Sequence, residues 1–396
     1  MKRLTSVILM LSLLLSLTAC MNKDDISYSK PDNTPTNPQP TNPSGPLPPV
    51  AQKPMVSVSV PIVKETERAS DGTVLFNYIY QNIELIVPDP DVAQKVILDF
   101  LNRIDQTTAT ANETRNAAKN AYKGDTNWSP YLCQITFDPM RVDYGILSML
   151  GYNVVYNGTP HPNTDYLSVN YDLVNGKVLT LNSILAGNSN ISTLCQYVID
   201  SLTLQKNTAN LFDGFESTVT DRFAKNLTLD TDWYFSETGL CFYFAPYDIA
   251  PYSSGVITAE VPYERLAGIL NDAYFPAEKD TASGTIFAQM FLDAEIDSFS
   301  QFSEIVIDSN GDKVLLYTNQ YVQNVRIESG SWSSDGSTFI PEHTVFAALS
   351  LTPGDAVMVE SQLKTNAPSL RLSYQTGGKT MFFFITGTNN GSVELK

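Results

Sequence analysis

The spacing of hydrophobic residues changes several times along the chain between strand-like alternation and helical periodicity. Asp89-Pro90-Asp91 is typical of a helix start, because Asp89 can cap the helix and Pro90 suits its first turn. The apolar residues that follow recur every three or four positions, as on one buried helix face: Val92, Ala93, Val96, Ile97, Phe100, Leu101 and Ile104. The polar segment 107–119 is predicted to continue as an exposed helix.

Two more helices are expected, one near Ile191 and another at 212–226, and a closing helix is predicted at 263–273. The helix near Ile191 has an apolar face: Leu194, Cys195, Val198, Ile199 and Leu202. Alternating or β-rich runs predict strands at 56–60, 74–80, 83–87, 132–137, 151–156, 240–244 and 256–261. Because strands and helices come in blocks without regular alternation, residues 55–275 are predicted to form an α+β module, an antiparallel sheet with packed helices.

The pattern becomes almost purely strand-like from about residue 283. Strands are predicted at 304–307, 314–317, 321–327, 345–351, 356–360, 370–374 and 381–385, with turn residues between them. Asn310-Gly311 predicts a hairpin turn between the first two of these strands. This spacing indicates an all-β, sandwich-like C-terminal domain over residues 283–396.

The N-terminus has the organisation of a bacterial lipoprotein signal. Lys2 and Arg3 precede a short apolar core, which ends in Leu17-Thr18-Ala19-Cys20. The apolar stretch is too short for a membrane span, and its ending resembles a lipobox. We therefore expect a signal peptide at 1–19 and lipid attachment at Cys20, which would hold the protein outside the cytoplasm on the cell membrane; an ordinary signal peptide is the alternative.

Residues 20–54 are polar and rich in proline, which predicts a disordered, extended tether. The whole chain has 42 acidic against 25 basic residues and a formal charge of −17. This charge disfavours nucleic acid and favours cationic partners. Cys133, Cys195 and Cys241 lie in apolar segments, and three cysteines cannot all form disulfides with one another. Buried free thiols are therefore expected, and a single disulfide between two of them is the alternative.

Motifs for catalysis are lacking in the sequence. His161 and His343 are its two histidines, and neither belongs to a metalloprotease, nucleophile-elbow or deaminase motif. Asp308–Asp312 departs from a calcium loop at the glycine and at the twelfth position, Asn319. Asp230 and Asp232 are best explained as loop residues. We therefore predict a non-catalytic protein without metal or cofactor; a hydrolase using His161 is a weaker alternative.

Two segments resemble signatures of the RsiV-like family. The first begins at Tyr156-Asn-Gly-Thr-Pro-His-Pro-Asn163 and continues through Asp172-Leu-Val-Asn-Gly-Lys-Val-Leu-Thr-Leu181. The second is Trp233-Tyr-Phe-Ser-Glu-Thr-Gly-Leu-Cys-Phe-Tyr-Phe-Ala-Pro-Tyr247 and its continuation to Tyr263. The resemblance covers about residues 55–275. The family includes the lysozyme-recognising ectodomain of an anti-sigma factor and a module attached to peptidoglycan deacetylases.

The resemblance implies a binding module, since the chain has neither the sigma-binding segment nor the deacetylase histidines of those relatives. Pro160 and Pro162 stiffen a loop that presents His161, and Tyr156, Asn157, His161 and Asn163 are the candidate ligand-binding residues. A purely structural turn is the other interpretation of this loop. Phe242 and Phe244 are expected in the core, whereas Tyr243 and Tyr247 could reach an edge.

Two hypotheses for the function have equal weight. In the first, a surface-anchored module binds a lysozyme-type muramidase or another cationic ligand of the envelope. In the second, the protein is an envelope scaffold that binds peptidoglycan or a neighbouring protein through the β-sandwich. Fold analogy alone does not decide between them.

Overall fold

The computed structural model describes residues 54–396 apart from 125–126, 188–189, 226–231, 277–283, 292–295, 297 and 389–390. Residues 51–396 form one compact unit. The signal segment 1–19, Cys20 and nearly all of the tether lie outside the described residues and stay predictions. None of the helices in the described part of the chain has the length and apolar character needed to span a bilayer.

The first layer is a sheet of six described strands in the order β2-β3-β5-β6-β7-β8. Their bounds are β2 Ile62–Arg68, β3 Val74–Gln81, β5 Tyr131–Val142, β6 Ile146–Tyr156, β7 Asn163–Asp172 and β8 Lys177–Val178. β3 and β5 are parallel and the other pairs antiparallel. The Asp172–Gly176 turn joins β7 to β8.

Helices α1 (Pro90–Gln106) and α2 (Thr108–Ala121) follow the short strand β4 (Glu84–Ile86) in the connection from β3 to β5, and they cover one face of this sheet. The side chain of Asp89 accepts a hydrogen bond from the backbone N–H of Asp91, which confirms the predicted cap. The expected exposed continuation is a separate helix with a buried side of small residues, Ala111, Thr114 and Ala118. Small side chains let this helix pack closely on the sheet. Because they are small or polar, they do not form a recognisable hydrophobic face in the sequence.

A second layer covers the other side of the module. It contains strands β9 Trp233–Phe235, β10 Gly239–Phe244 and β11 Ile257–Pro262, together with helices α3 Leu181–Ile184, α4 Asn190–Gln205 and α5 Phe215–Lys225. The apolar face predicted near Ile191 packs into one core with Phe242 and Phe244, as expected. Cys133, Cys195 and Cys241 are buried free thiols, so the open question of a disulfide among them is answered.

The predicted closing helix at 263–273 is wrong. The segment has two 3-10 turns, Tyr263–Arg265 and Asp272–Tyr274. Tyr263, Leu266 and Leu270 are buried with the spacing of a helix face, but Gly268 between them takes a left-handed φ of 73°. A regular helix cannot pass through that conformation.

The C-terminal region is a sandwich of two sheets, as predicted. One has the described order β20-β19-β18-β15-β16-β1-β4 and the other β12-β14-β17-β13. Their strands are β1 Ser57–Ser59, β4 Glu84–Ile86, β12 Ile286–Met290, β13 Gln301–Val306, β14 Asp312–Thr318, β15 Val322–Trp332, β16 Phe339–Leu351, β17 Asp355–Ser361, β18 Leu370–Thr376, β19 Lys379–Gly387 and β20 Val393–Leu395. Apolar side chains from both sheets share one core.

Asn310-Gly311 forms a turn, but the predicted hairpin is wrong. β17 lies between β13 and β14, parallel to the first and antiparallel to the second. The turn passes over the end of β17, because the backbone N–H of Asn310 donates to Glu360 Oε1 (2.7 Å) and Ser361 Oγ donates to Asp308 Oδ2 (3.0 Å). The side chains of β17 therefore hold a connection that local sequence alone assigns to a hairpin.

The boundary predicted between residues 275 and 283 does not separate the two parts of the fold. β1, at the start of the predicted module, pairs with β16 of the C-terminal region on one side and with β4 on the other. Val56, Val58 and Val60 belong to the core beneath α1, while Met55 belongs to the sandwich core. β1 therefore joins the two cores.

A polar contact reinforces this junction. Arg326 of β15 donates to the backbone carbonyls of Pro139 (2.7 Å) and Met140 (2.8 Å) in β5, and its guanidinium pairs with Glu237 at 2.9 Å. Asp138 Oδ1 accepts from the backbone N–H of Thr344 in β16 at 3.1 Å. These bonds fix the angle at which β5 meets the C-terminal sheet.

Val58→Ala should lower the free energy of unfolding by about 2 kcal/mol, because it removes two buried methyl groups and leaves a cavity in the core beneath α1. Urea unfolding followed by Trp fluorescence measures this change. Val174→Ala, at a valine that is 68% exposed, is the matched control and should change stability by less than about 0.5 kcal/mol. Equal effects of the two substitutions would contradict the junction role of β1.

Candidate functional site

The β6–β7 hairpin carries the predicted ligand-binding residues at its tip. Tyr156 ends β6 and is half-buried, with its ring 5.9 Å from the ring of Tyr131 in an edge-on arrangement. Asn157, His161 and Asn163 are exposed, and Asn163 begins β7. The structure therefore places Asn157 and His161 in an accessible loop, with Tyr156 and Asn163 in the strands at its two ends.

Local contacts shape this loop. Gly158 has a φ of 88°, and a Cβ atom there would lie 2.5 Å from the hydroxyl oxygen of Tyr131. Only glycine combines a readily adopted positive φ with the absence of a Cβ atom. Thr159 Oγ1 donates to the carbonyl of His161 at 2.8 Å, and Asn163 Nδ2 donates to Asp165 Oδ2 at 3.4 Å. The loop thus has defined internal bonds in addition to its two prolines.

Tyrosines extend along the hairpin from this tip. Tyr152 of β6 and Tyr166 of β7 are directly opposite each other in the register, and their rings meet at 5.2 Å. Tyr166 also approaches Tyr243 of β10, at 6.5 Å between ring centroids. Both hairpin tyrosines are half-buried, so each keeps part of its ring accessible.

Tyr243 itself does not reach an edge, contrary to the expectation from the sequence. Its side chain is buried, its hydroxyl donates to Ser168 Oγ at 3.4 Å, and it accepts from the backbone N–H of Asp232 at 3.0 Å. Burial raises the pKa of Tyr243 to about 12. Tyr243 therefore forms the buried floor beneath the accessible tyrosines.

The segment 245–255 presents the most accessible tyrosines of this region. Tyr247 is 69% exposed and Tyr252 is 53% exposed, and their rings lie 5.7 Å apart. Tyr252 is close enough to Tyr166 to contribute, after burial, to the raised pKa of that phenol. Val256, directly after this segment, packs against the same buried cluster as Tyr152 and Tyr166, so the loop tyrosines and the hairpin tyrosines lie in one region. We call Tyr152, Tyr166, Tyr247 and Tyr252 together the tyrosine surface.

Arg222 of α5 holds the 245–255 segment in place through hydrogen bonds. Its guanidinium donates to Asp248 Oδ2 at 2.7 Å and to the carbonyl of Tyr243 at 3.1 Å. Asp248 Oδ2 also accepts from the backbone N–H of Ala245 at 2.8 Å. Ile249, next in sequence, is fully buried. A salt-bridged carboxylate and a buried isoleucine thus hold a loop whose tyrosines point outward.

Tyr247 has a φ of 74°. A bulky side chain rarely adopts this left-handed conformation, which costs on the order of 1 kcal/mol and persists where surrounding contacts fix the backbone. Here the backbone N–H of Tyr247 donates to the carbonyl of Ala250 at 3.0 Å. A large aromatic residue, exposed and strained on a braced loop, indicates a binding contact more strongly than an ordinary surface tyrosine does.

The chemistry of this surface is hydrogen bonding and apolar contact. Burial, and after it the nearby Asp138, raises the pKa of Tyr152 to about 12, so its phenol stays neutral at physiological pH.

In the described part of the chain, His, Cys, Asp and Glu form no group of three that could hold a metal ion. Asp232 shares Arg222 with Asp248, and burial raises the pKa of its carboxyl; Asp230 lies outside the described residues.

Sequence reasoning found Tyr247 but missed Tyr152, Tyr166 and Tyr252. Tyr152 and Tyr166 become a pair only through the register of β6 and β7, which local sequence does not specify. Tyr252 lies in the quoted second signature region, and its repeated Pro-Tyr pattern (Pro246-Tyr247 and Pro251-Tyr252) is the signal that could have found it.

Residues 182–264 match the model of the family described as "Protein of unknown function (DUF3298)", which is related to RsiV-like domains. This range contains the 245–255 segment and Arg222. The chain is similar to a solved DUF3298 family member from Bacteroides fragilis, with 17% identity, 55% of this chain and 94% of that chain covered, and a TM-score of 0.42. A DUF3298 family protein from Pseudomonas aeruginosa has 18% identity, coverage of 56% and 97%, and a TM-score of 0.39. No curated protein matches the chain.

Replacing Tyr247 by Gly should raise the free energy of unfolding by about 0.5–1 kcal/mol, because glycine adopts the positive φ without strain. Tyr252→Gly, in the adjacent 3-10 turn, is the control and should lower stability or leave it unchanged. Thermal unfolding of the two variants measures the difference. Destabilisation by Tyr247→Gly as large as that by Tyr252→Gly would show that Tyr247 is not strained.

Proposed function

We propose that this chain is a non-catalytic binding protein, held on the outer side of the cell membrane by a lipid on Cys20, which binds a cationic protein through the tyrosine surface and the β6–β7 loop. The observation that carries the proposal is the exposed pair Tyr247 and Tyr252 on a braced, strained loop. Tyrosine is among the residues that contribute most at protein interfaces.

The charge of the protein supports a cationic partner. The chain has a formal charge of −17, and a field of this sign attracts positively charged proteins and accelerates their encounter. Tyrosine faces also attract Arg and Lys side chains through cation–π interaction. A surface of accessible tyrosines on an acidic protein therefore suits a ligand rich in Arg and Lys.

A lysozyme-type muramidase is the ligand that we propose. Such enzymes are commonly basic, and the RsiV-like resemblance of residues 156–184 and 233–263 favours them. The match of residues 182–264 to a family related to RsiV-like domains also supports a lysozyme-type ligand. In this proposal the hairpin tip with Asn157, His161 and Asn163 contacts the muramidase beside the tyrosine surface. The bound protein blocks the cleft of the enzyme and catalyses no reaction itself.

An envelope scaffold is the second candidate function. Phe382 of β19 is 58% exposed on the C-terminal sheet, and the guanidinium of Arg371 lies 5.3 Å from its ring centroid. An exposed aromatic residue in this position suits contact with peptidoglycan or a neighbouring protein. In that case the β-sandwich, and not the tyrosine surface, makes the contact.

Binding of the full chain to a C-type lysozyme across a salt series tests the first proposal. We expect submicromolar binding, inhibition of the muramidase, and an association rate that falls at least about tenfold between low and physiological salt. The double variant Tyr247→Ala, Tyr252→Ala should weaken binding at least about tenfold, mainly through faster dissociation.

Phe382→Ala serves as the matched control, since it removes an exposed ring of the other region and should leave lysozyme binding unchanged. Absence of lysozyme binding at low salt would refute the proposal. Cosedimentation with purified cell wall that is lost in Phe382→Ala and retained in the tyrosine double variant would establish the scaffold instead.

A further inference from the structure

A cavity of about 240 Å³, partly open to solvent, lies between the α1–α2 junction and the sheet. The helices contribute Arg103, Gln106, Thr107 and Thr110, and the floor consists of Ile135, Asn153 and Leu167 from β5, β6 and β7. An apolar cavity of about 150 Å³ is large enough to bind benzene. This cavity can therefore hold a group of several heavy atoms, such as one ring with a substituent.

The cavity lies on the opposite face of the hairpin from the tyrosine surface. Asn153 follows Tyr152, and Leu167 follows Tyr166, and successive side chains of a strand point to opposite faces. The contacts agree, because Tyr152 and Tyr166 pack with Tyr243, whereas Asn153 and Leu167 line the cavity under the helices. The cavity is thus distinct from the proposed protein-binding surface.

Asn153 supplies a hydrogen-bond acceptor in the floor. Its Oδ1 atom is buried and accepts no hydrogen bond from the described residues. A buried carbonyl oxygen without a donor is unfavourable, and the great majority of such atoms in proteins have a partner. A ligand N–H group in the cavity would satisfy this oxygen.

Arg103 supplies positive charge and donors in the wall. Asp99 Oδ2 accepts from Arg103 Nε at 2.8 Å and from the Tyr171 hydroxyl at 2.9 Å. This carboxylate orients the guanidinium, which lines the cavity. Thr107 is fixed as well, because its hydroxyl is 2.8 Å from the Tyr78 hydroxyl and donates to the carbonyl of Ile104 at 2.7 Å. The hydroxyl hydrogen of Thr107 is therefore already used, and the guanidinium of Arg103, held by Asp99, is the group of this wall that can donate to a ligand carbonyl oxygen.

Ile135 and Leu167 supply two apolar contacts beside these polar groups. An acceptor for N–H, a donor for C=O and an apolar contact for a methyl group together match an acetamido group. We propose that this cavity binds the acetamido group of an N-acetylated amino sugar.

The surroundings favour a sugar over a peptide. Residues 135, 153 and 167 lie in paired stretches of the β5–β6 and β6–β7 ladders, so the floor offers no open strand edge to which a peptide backbone could add. Gln106 and Thr110 lie at the exposed side of the cavity. Their amide and hydroxyl groups both donate and accept, as the hydroxyls of a sugar ring require.

Saturation-transfer NMR of the full chain with N-acetylglucosamine tests the proposal. The strongest transfer should occur at the acetyl methyl protons, and glucosamine, which lacks the acetyl group, should bind at least tenfold more weakly. Asn153→Leu removes the acceptor at similar volume and should weaken N-acetylglucosamine binding at least tenfold. Asn102→Leu, on the exposed side of α1, is the matched control and should bind like the unaltered protein.

Thr110→Trp provides a second variant that leaves the floor intact, since residue 110 is exposed and lines the cavity, and it should also reduce binding at least tenfold. Both cavity variants should still bind a C-type lysozyme if the proposed function holds, so the two proposals fail separately. The sugar site is refuted if N-acetylglucosamine does not bind at 50 mM (about the weakest affinity of interest), if glucosamine binds equally well, or if neither cavity variant alters binding.

Discussion

The insertion of β1 between β4 and β16 is the constraint on which the remaining structure depends. Residue 58 lies opposite residue 347, so the strand is completed only when chain segments almost 300 residues apart meet. Its valines enter the core beneath α1, and Met55 enters the sandwich core. Such a long-range pairing has a high entropic cost and is formed only when both partners present matching surfaces. The helical module and the β-sandwich are thereby parts of one unit.

This rigid junction gives the accessible loops a fixed frame. Arg326 ties β5 to the C-terminal sheet, β5 carries the β6–β7 hairpin, and Arg222 holds the 245–255 segment over the same region. Binding residues commonly lie on loops that a scaffold positions. Strain at Tyr247 is tolerable here because Asp248 and Ile249, on its C-terminal side, are fixed by a salt bridge and by burial.

The sequence predicted the features that depend on local chemistry. The Asp89 cap, the buried face of α1, the three buried thiols and the β-sandwich all follow from periodicity, capping and composition. It failed where distant residues decide: the turn at Asn310 crosses β17, and β1 leaves its own module. The helix expected at 263–273 failed for a local reason, the left-handed conformation of Gly268. The tyrosine surface was found in part, because Tyr247 is recognisable in a motif, whereas Tyr152 and Tyr166 become neighbours only through strand register.

Hydrogen–deuterium exchange of the full chain with and without a C-type lysozyme tests the central claim, recognition through the tyrosine surface, most directly. The account predicts that backbone amides in 245–255 and in the hairpin tip at 157–163 exchange more slowly in the complex, while those of β18 and β19 do not change. Protection confined to β18 and β19, or no protection at all, would contradict it.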